Sequence, residues 1–143
     1  LHAMFGRASA EEVMSGRGIL NIYTALAKHA NEPVEFTEPA QITDAALAGS
    51  CKIAEATLTQ FCRIMGSFAG NLALNMATTG GIFIGGGIAN RFPEFIKNSD
   101  FRARFEAKGQ MKHYVKDIPT YLIAEPDHGL LGAAAYLNQN TAS

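Results

Sequence analysis

The stretch Gly80-Gly81-Ile82-Phe83-Ile84-Gly85-Gly86-Gly87-Ile88 constrains the fold of this chain more than any other. Ile82, Phe83 and Ile84 are β-branched or aromatic with no polar alternation, the pattern of a buried strand. The flanking glycines permit tight turns, and those after the strand leave backbone amides unshielded by side chains. Ligands of open α/β sheets bind beyond the carboxyl ends of strands, where a following helix offers unpaired N–H groups. Gly85, Gly86 and Gly87 are therefore a candidate surface for a flat or anionic ligand, such as part of a nucleotide. Taken alone, the glycines favour a plain strand-to-helix turn, because the pattern is neither a P-loop nor G-x-G-x-x-G.

A chain of 143 residues fits one domain and can bury a core. With 17% charged residues and a net charge of −1, it has no basic field to attract nucleic acid. Cys51 and Cys62 lie in an apolar helical stretch without C-x-x-C or a histidine at metal spacing. They read as buried free thiols of a reducing cytosol. His2, His29, His113 and His128 have no cysteine or acid at ligand spacing either, and His128 reads as a loop residue. No signal peptide is visible and the first residue is Leu1. Leu1, Met4 and Phe5 have the spacing of the last turns of an amphipathic helix, so the chain is expected to be part of a longer protein.

Ser9-Ala10-Glu11-Glu12 has the form of a capping box, opening a helix that Gly16 and Gly18 would end. Glu11 then sits in a first turn with its carboxylate free, where on residue grounds it complements the helix dipole. Ile19, Ile22, Tyr23 and Leu26 repeat at helical spacing. Residues 31–39 form a loop whose acids Glu32, Glu35 and Glu38 are solvated, and Thr43 is placed to cap a short helix through residue 47. Residues 51–77 form the longest element, apolar on most sides and so expected to be buried by its neighbours. Ser67, Asn71 and Asn75 and a short uncharged run argue against a membrane span. Gly66 and Gly70, four apart on one face, would let another backbone approach closely. After the glycine turn come residues 88–92, then Pro93 opening a helix over 94–97. Ser99 caps a helix holding Phe101 and Phe105, closed by Gly109, and residues 111–116 make one more. A second strand covers 120–124, and Asp127 caps a last helix over 129–137, whose small residues suit tight packing on a sheet. Two parallel strands do not make a stable sheet alone, so further strands are expected upstream or from another chain.

Three stretches resemble the C-terminal part of the bacterial glucokinases, ATP-dependent hexokinases of the actin-like sugar kinase superfamily. They are residues 9–18 (SAEEVMSGRG), 68–75 (FAGNLALN) and 80–88 (GGIFIGGGI), joined by residues 117–123 (DIPTYLI) and 129–132 (GLLG). The resemblance runs through nearly the whole chain in order. It implies a helix-rich α/β fold: an incomplete C-terminal domain of an actin-like, ribonuclease H-like sugar kinase, with few parallel strands and a long buried helix. Residues 1–143 would be the C-terminal portion of the large domain, with the N-terminal domain and the first strands of this domain absent.

By the same resemblance, Glu11 accepts hydrogen bonds from sugar hydroxyls, and Gly85, Gly86 and Gly87 lie against the adenosine of ATP, with the last helix behind them. The family's catalytic aspartate, phosphate loops and Glu-x-x-His motif belong upstream, so no catalytic or metal-binding residue is assigned here. The intact parent would transfer the γ-phosphate of ATP, with Mg²⁺, to the 6-hydroxyl of glucose in the cytoplasm. Residues 1–143 alone would be inactive and would form a homodimer, with no nucleic acid or membrane partner. A sugar-sensing domain of a transcriptional regulator of the same fold is the alternative, disfavoured by the lack of a cysteine-rich zinc motif; a non-catalytic dimerisation module is another.

Overall fold

The computed structural model describes residues 1, 5–125 and 127–141. His2 and Met4 lie outside the described residues. Ser15 has an extended backbone and its Oγ accepts from the Gly18 amide at 3.0 Å, so helix α1 (Gly16–His29) begins there. The helix expected from Ser9 is instead a run of turns. The Glu12 carboxylate does accept from the Ser9 amide at 2.7 Å, but no helix follows until Gly16. Gly16 and Gly18 thus open a helix rather than end one. The reason is packing: a Cβ on Gly18 would collide with the backbone of Val13, so glycine lets the turn fold onto the helix start. Asn21 Nδ2 ties the two together by donating to the Glu12 carbonyl at 2.9 Å.

Helix α2 (Pro39–Leu47) starts with its proline at the first position, and the Gln41 side chain accepts from the Glu38 amide at 3.1 Å. Thr43 therefore does not cap it. It is buried mid-helix, its hydroxyl donating to the Pro39 carbonyl at 2.5 Å. Glu32, Glu35 and Glu38 are exposed on the preceding loop.

Helix α3 (Lys52–Asn75) has 24 residues, which at ~1.5 Å per residue span about 36 Å. Its first half buries Ala54, Leu58, Phe61 and Cys62 in a core shared with Ile19, Ile22 and Tyr23 of α1 and Ile42 of α2. Its second half buries small residues, Gly66, Ala69, Gly70 and Ala73. Here Gly66 and Gly70 do what their spacing implies. A side chain at either would run into the carbonyls of Phe101 and Phe105 on helix α6 (Phe101–Glu106), which crosses α3 closely. The far side of this half is open, leaving Phe68 and Leu72 exposed. The expectation of a helix covered on most sides holds only for its first half, because among the described residues no element packs on the other side.

Strands β1 (Ile82–Ile84) and β2 (Thr120–Leu122) pair in parallel, with Ile82 opposite Thr120 and Ile84 opposite Leu122. Between them lie α4 (Gly87–Arg91), α5 (Pro93–Lys97), α6, a 3₁₀ turn (Gly109–Met111) and α7 (Lys112–Val115). The N-cap of α6 is Asp100, without a side-chain bond, rather than Ser99, whose Oγ one residue earlier accepts from the Phe101 amide at 3.1 Å. Arg102 fixes the approach to β2: Nη1 donates to the Ile118 carbonyl at 2.7 Å and Nη2 to that of Lys116 at 2.5 Å, while Nε pairs with Glu106.

Ile82 and Ile84 face the helices, but Phe83 points outward, 65% exposed and stacked on Tyr121 with ring centroids 5.0 Å apart. The strand is therefore covered on one face only. The last helix, α8 (His128–Thr141), has no buried residue. Its expected packing on the sheet is not made, and Leu130, Leu131, Tyr136 and Leu137 stand in solvent. Among the described residues no helix is long and apolar enough to cross a membrane.

Candidate functional site

The chain leaves β1 through Gly85 and turns at Gly86, whose φ of 122° is one that residues with a side chain rarely adopt. Gly87 then begins α4. Around the Cβ positions of Gly86 and Gly87 there is open space. Gly85 is different: the imidazole of His128 stands against it, with its Nδ1 at 2.7 Å from the Glu125 carbonyl, to which it donates. His128 thus starts helix α8 beside the glycine turn rather than lying in a loop.

Gly87 opens onto a cleft of about 340 Å³. One wall is α4 and its end, with Ile88, Arg91 and Phe92. The N-terminal turn of α1 supplies Gly16 and Ile19, and α2 supplies Pro39, Ala40 and Thr43. Arg91 Nη2 reaches across and donates to Asp44 Oδ1 of α2 at 3.1 Å. The preceding residue, Asn90, does not line the cleft; its buried Oδ1 has no hydrogen-bond partner among the described residues.

Nothing local in the sequence connects α1 or α2 to the glycines, since the contact spans many residues. One local signal was available: Arg91 is the sole cation between Arg63 and Lys97. A second cleft of about 340 Å³ lies between β2 and helices α5 and α6. Its walls include Ile84, Ile96, Phe101 and Leu122, and its Arg102 already donates to two carbonyls and a carboxylate.

Glu11 lies in the turn before α1, exposed, and its carboxylate makes no hydrogen bond among the described residues. The bond from Asn21 to the Glu12 carbonyl anchors that turn to α1, the helix whose Gly16 lines the cleft. Glu11 and the glycines are thus attached to connected elements without touching. Of the cysteines, Cys51 is half-buried at the start of α3 and Cys62 is fully covered; both are free. Burial pushes the Cys62 thiol up to about 11, against a smaller opposite effect from its hydrogen bond with Ser99. Among the described residues no three His, Cys, Asp or Glu side chains gather as a metal set.

The sequence profile of the glucokinase family matches residues 1–140. The glucokinases of Escherichia coli strain K12 / DH10B and of Shigella boydii serotype 18 are each 53% identical to this chain over 139 residues. That alignment takes in 97% of this chain and 43% of theirs. The crystal structure of a glucokinase from an Antarctic psychrotroph superposes with a TM-score of 0.88 at 39% identity, over 96% of this chain and 43% of that one. This chain thus spans under half the length of the relatives it matches. The family profile spans residues 1–140, a range that takes in every element described above, and the chain belongs to the glucokinase family.

Proposed function

We propose that this chain is the C-terminal portion of the large domain of a cytoplasmic glucokinase, which transfers the γ-phosphate of ATP to the 6-hydroxyl of glucose. The observation that carries this reading is the 53% identity to glucokinases over 97% of the chain. The exposed, unpaired carboxylate of Glu11 suits a sugar, since an ionised carboxylate accepts from two hydroxyls at once. The open backbone at Gly86 and Gly87 suits the adenosine, with Gly85 completing the turn beneath His128.

Phosphoryl transfer needs nucleophile, phosphates and Mg²⁺ positioned together. In this reading the chain, 43% of its relatives' length, holds only the sugar contact and the nucleoside shelf, so the chain alone is inactive. Mg²⁺ would be held mainly by the ATP phosphates and by one or two carboxylates from the upstream half. The uncovered sheet face and α8 make self-association of the isolated chain the expected state, since exposed strands and apolar surface recruit another chain.

The test is a hybrid enzyme in which this chain replaces the matching segment of E. coli glucokinase, assayed beside the chain alone. The hybrid is expected to phosphorylate glucose and the isolated chain to show no turnover. A folded but inactive hybrid, or an active isolated chain, would sink the reading. In the hybrid, Glu11→Gln exchanges an acceptor for a donor; hydrogen bonds to charged groups contribute roughly 1.5–3 kcal/mol, so kcat/KM for glucose should fall about tenfold or more. Unchanged kinetics would leave Glu11 as a surface acid.

A further inference from the structure

The cleft at Gly87 is walled by Pro39, Ala40, Ile88 and Phe92, and among the described residues Arg91 is the one charged side chain lining it. Asp44, on the opposite wall, accepts from Nη2 at 3.1 Å, while Nε and Nη1 make no hydrogen bond among the described residues. Both partners are substantially exposed, 46% and 69% by side chain, and an ion pair this wet contributes little to stability. Its position matters more: it joins α4 to α2 at the side of an otherwise largely apolar cleft.

With one edge of the guanidinium engaged by the carboxylate, its flat face is left for a planar π system and its free N–H groups for ring nitrogens and carbonyls. We propose that Arg91 is a specificity-determining residue of this cleft, receiving the heterocyclic base of the nucleoside triphosphate, and that Asp44 is the positioning residue that holds it there. The proposal rests on the kinase reading above and goes beyond the glycine turn, which offers only backbone. Base selection, in this account, comes from the side chain that α2 restrains.

The hybrid enzyme provides the test, with Arg91→Gln, Arg91→Lys and Asp44→Asn compared at saturating glucose. Arg91→Gln should raise KM for ATP about tenfold while kcat and KM for glucose stay within about twofold. Arg91→Lys should lose most of that affinity too, because a point charge lacks the planar fork. Asp44→Asn should fall between wild type and Arg91→Gln. The ratio of kcat/KM for ATP over that for CTP should flatten in the Arg91 variants, a change that a merely structural role would not produce.

Wild-type KM for ATP in all three variants of an active hybrid would overturn the proposal and leave the kinase reading intact. For an inactive hybrid, amide chemical shifts of the full chain titrated with millimolar ADP give the answer without turnover. Perturbations at Ile88 and Arg91 that disappear in Arg91→Gln support the assignment; none in the wild-type chain, or the same set in the variant, overturns it.

Discussion

Around Tyr23, Ile42 and Leu58 the large side chains are covered, with 1%, 0% and 0% exposure, whereas on the sheet and last helix Phe83 shows 65%, Leu130 74% and Tyr136 67%. The two regions draw on similar residue types, so composition does not separate them. What separates them is layering. Helices α1, α2 and the first half of α3 face one another around a core that Ala89, Phe92 and Ile96 complete, while among the described residues the two-stranded sheet has helices on one side only. Parallel strands are stable when both faces are covered. An apolar pattern thus states what a residue is suited to, and the number of layers present decides whether it is met.

The widest gap between the two regions should appear on truncation. Leu58→Ala removes a fully covered side chain between three helices and should cost about 2–5 kcal/mol. Leu130→Ala removes a side chain standing in solvent, and surface changes of this kind stay within about 0.5 kcal/mol. Urea unfolding of the two variants measures the gap directly. Equal losses would mean that α8 is packed in solution and that the contrast is false. Changing Leu130 and Leu137 together to serine should instead weaken self-association, read by sedimentation across a dilution series, with the unfolding midpoint of the monomer unmoved.

A second test lies where the two regions meet, on the second half of α3. Gly66→Ala gains helix propensity of up to about 1 kcal/mol. Its methyl, however, would land on the carbonyl of Phe101, a backbone group that cannot swing aside, and overpacking of this kind costs about 1–3 kcal/mol. The variant should therefore be destabilised on balance, as seen by its thermal midpoint. A stabilised Gly66→Ala would show that α6 rides further from α3 than the structure places it, and that this half is as open as the sheet face.

These same residues indicate what the sequence could disclose. The β1 tripeptide and Pro93 at a helix start are legible because their residue types act locally, and the spacing of Gly66 and Gly70 announces a close approach without saying that α6 makes it. The Ser9 box was misread as a helix start because its fate depends on Val13 packing against Gly18, a contact that the local pattern does not contain. Thr43 was misplaced since Pro39, four residues earlier, had already begun the helix. Of the candidate site, the glycine turn was visible by itself. The α1 and α2 walls of its cleft, and the tie from Arg91 to Asp44 across 47 residues, were not, because nothing local encodes which helices meet. The open state of α8 was equally hidden: its alanines suit packing on a sheet, and only the layer count withholds it.

The smallest effect concerns the two thiols, which sample the closed region at its rim and its centre. Cys51 is half-buried at the start of α3 and should react with a thiol reagent under native conditions, while Cys62, fully covered, should react only on unfolding. Burial also sets a pH dependence. The Cys62 thiol is raised from 9.0 to about 11 in the folded chain, so the unfolded state loses its proton first as pH rises. The neutral thiol's contribution is complete below the unfolded value and is lost as pH climbs from there through the folded value. Linkage puts the loss at less than about 1 kcal/mol on going from about pH 8 to 9.5. Lys108 shifts in the opposite sense, its pKa lowered first by burial and then by Arg104, so bulk stability against pH would blur the two. The difference between wild type and Cys62→Ala isolates the thiol: the wild-type chain should lose stability faster across that interval. Parallel curves, or labelling of Cys62 in the native chain at the rate of Cys51, would mean that the helical core opens as readily as the sheet face.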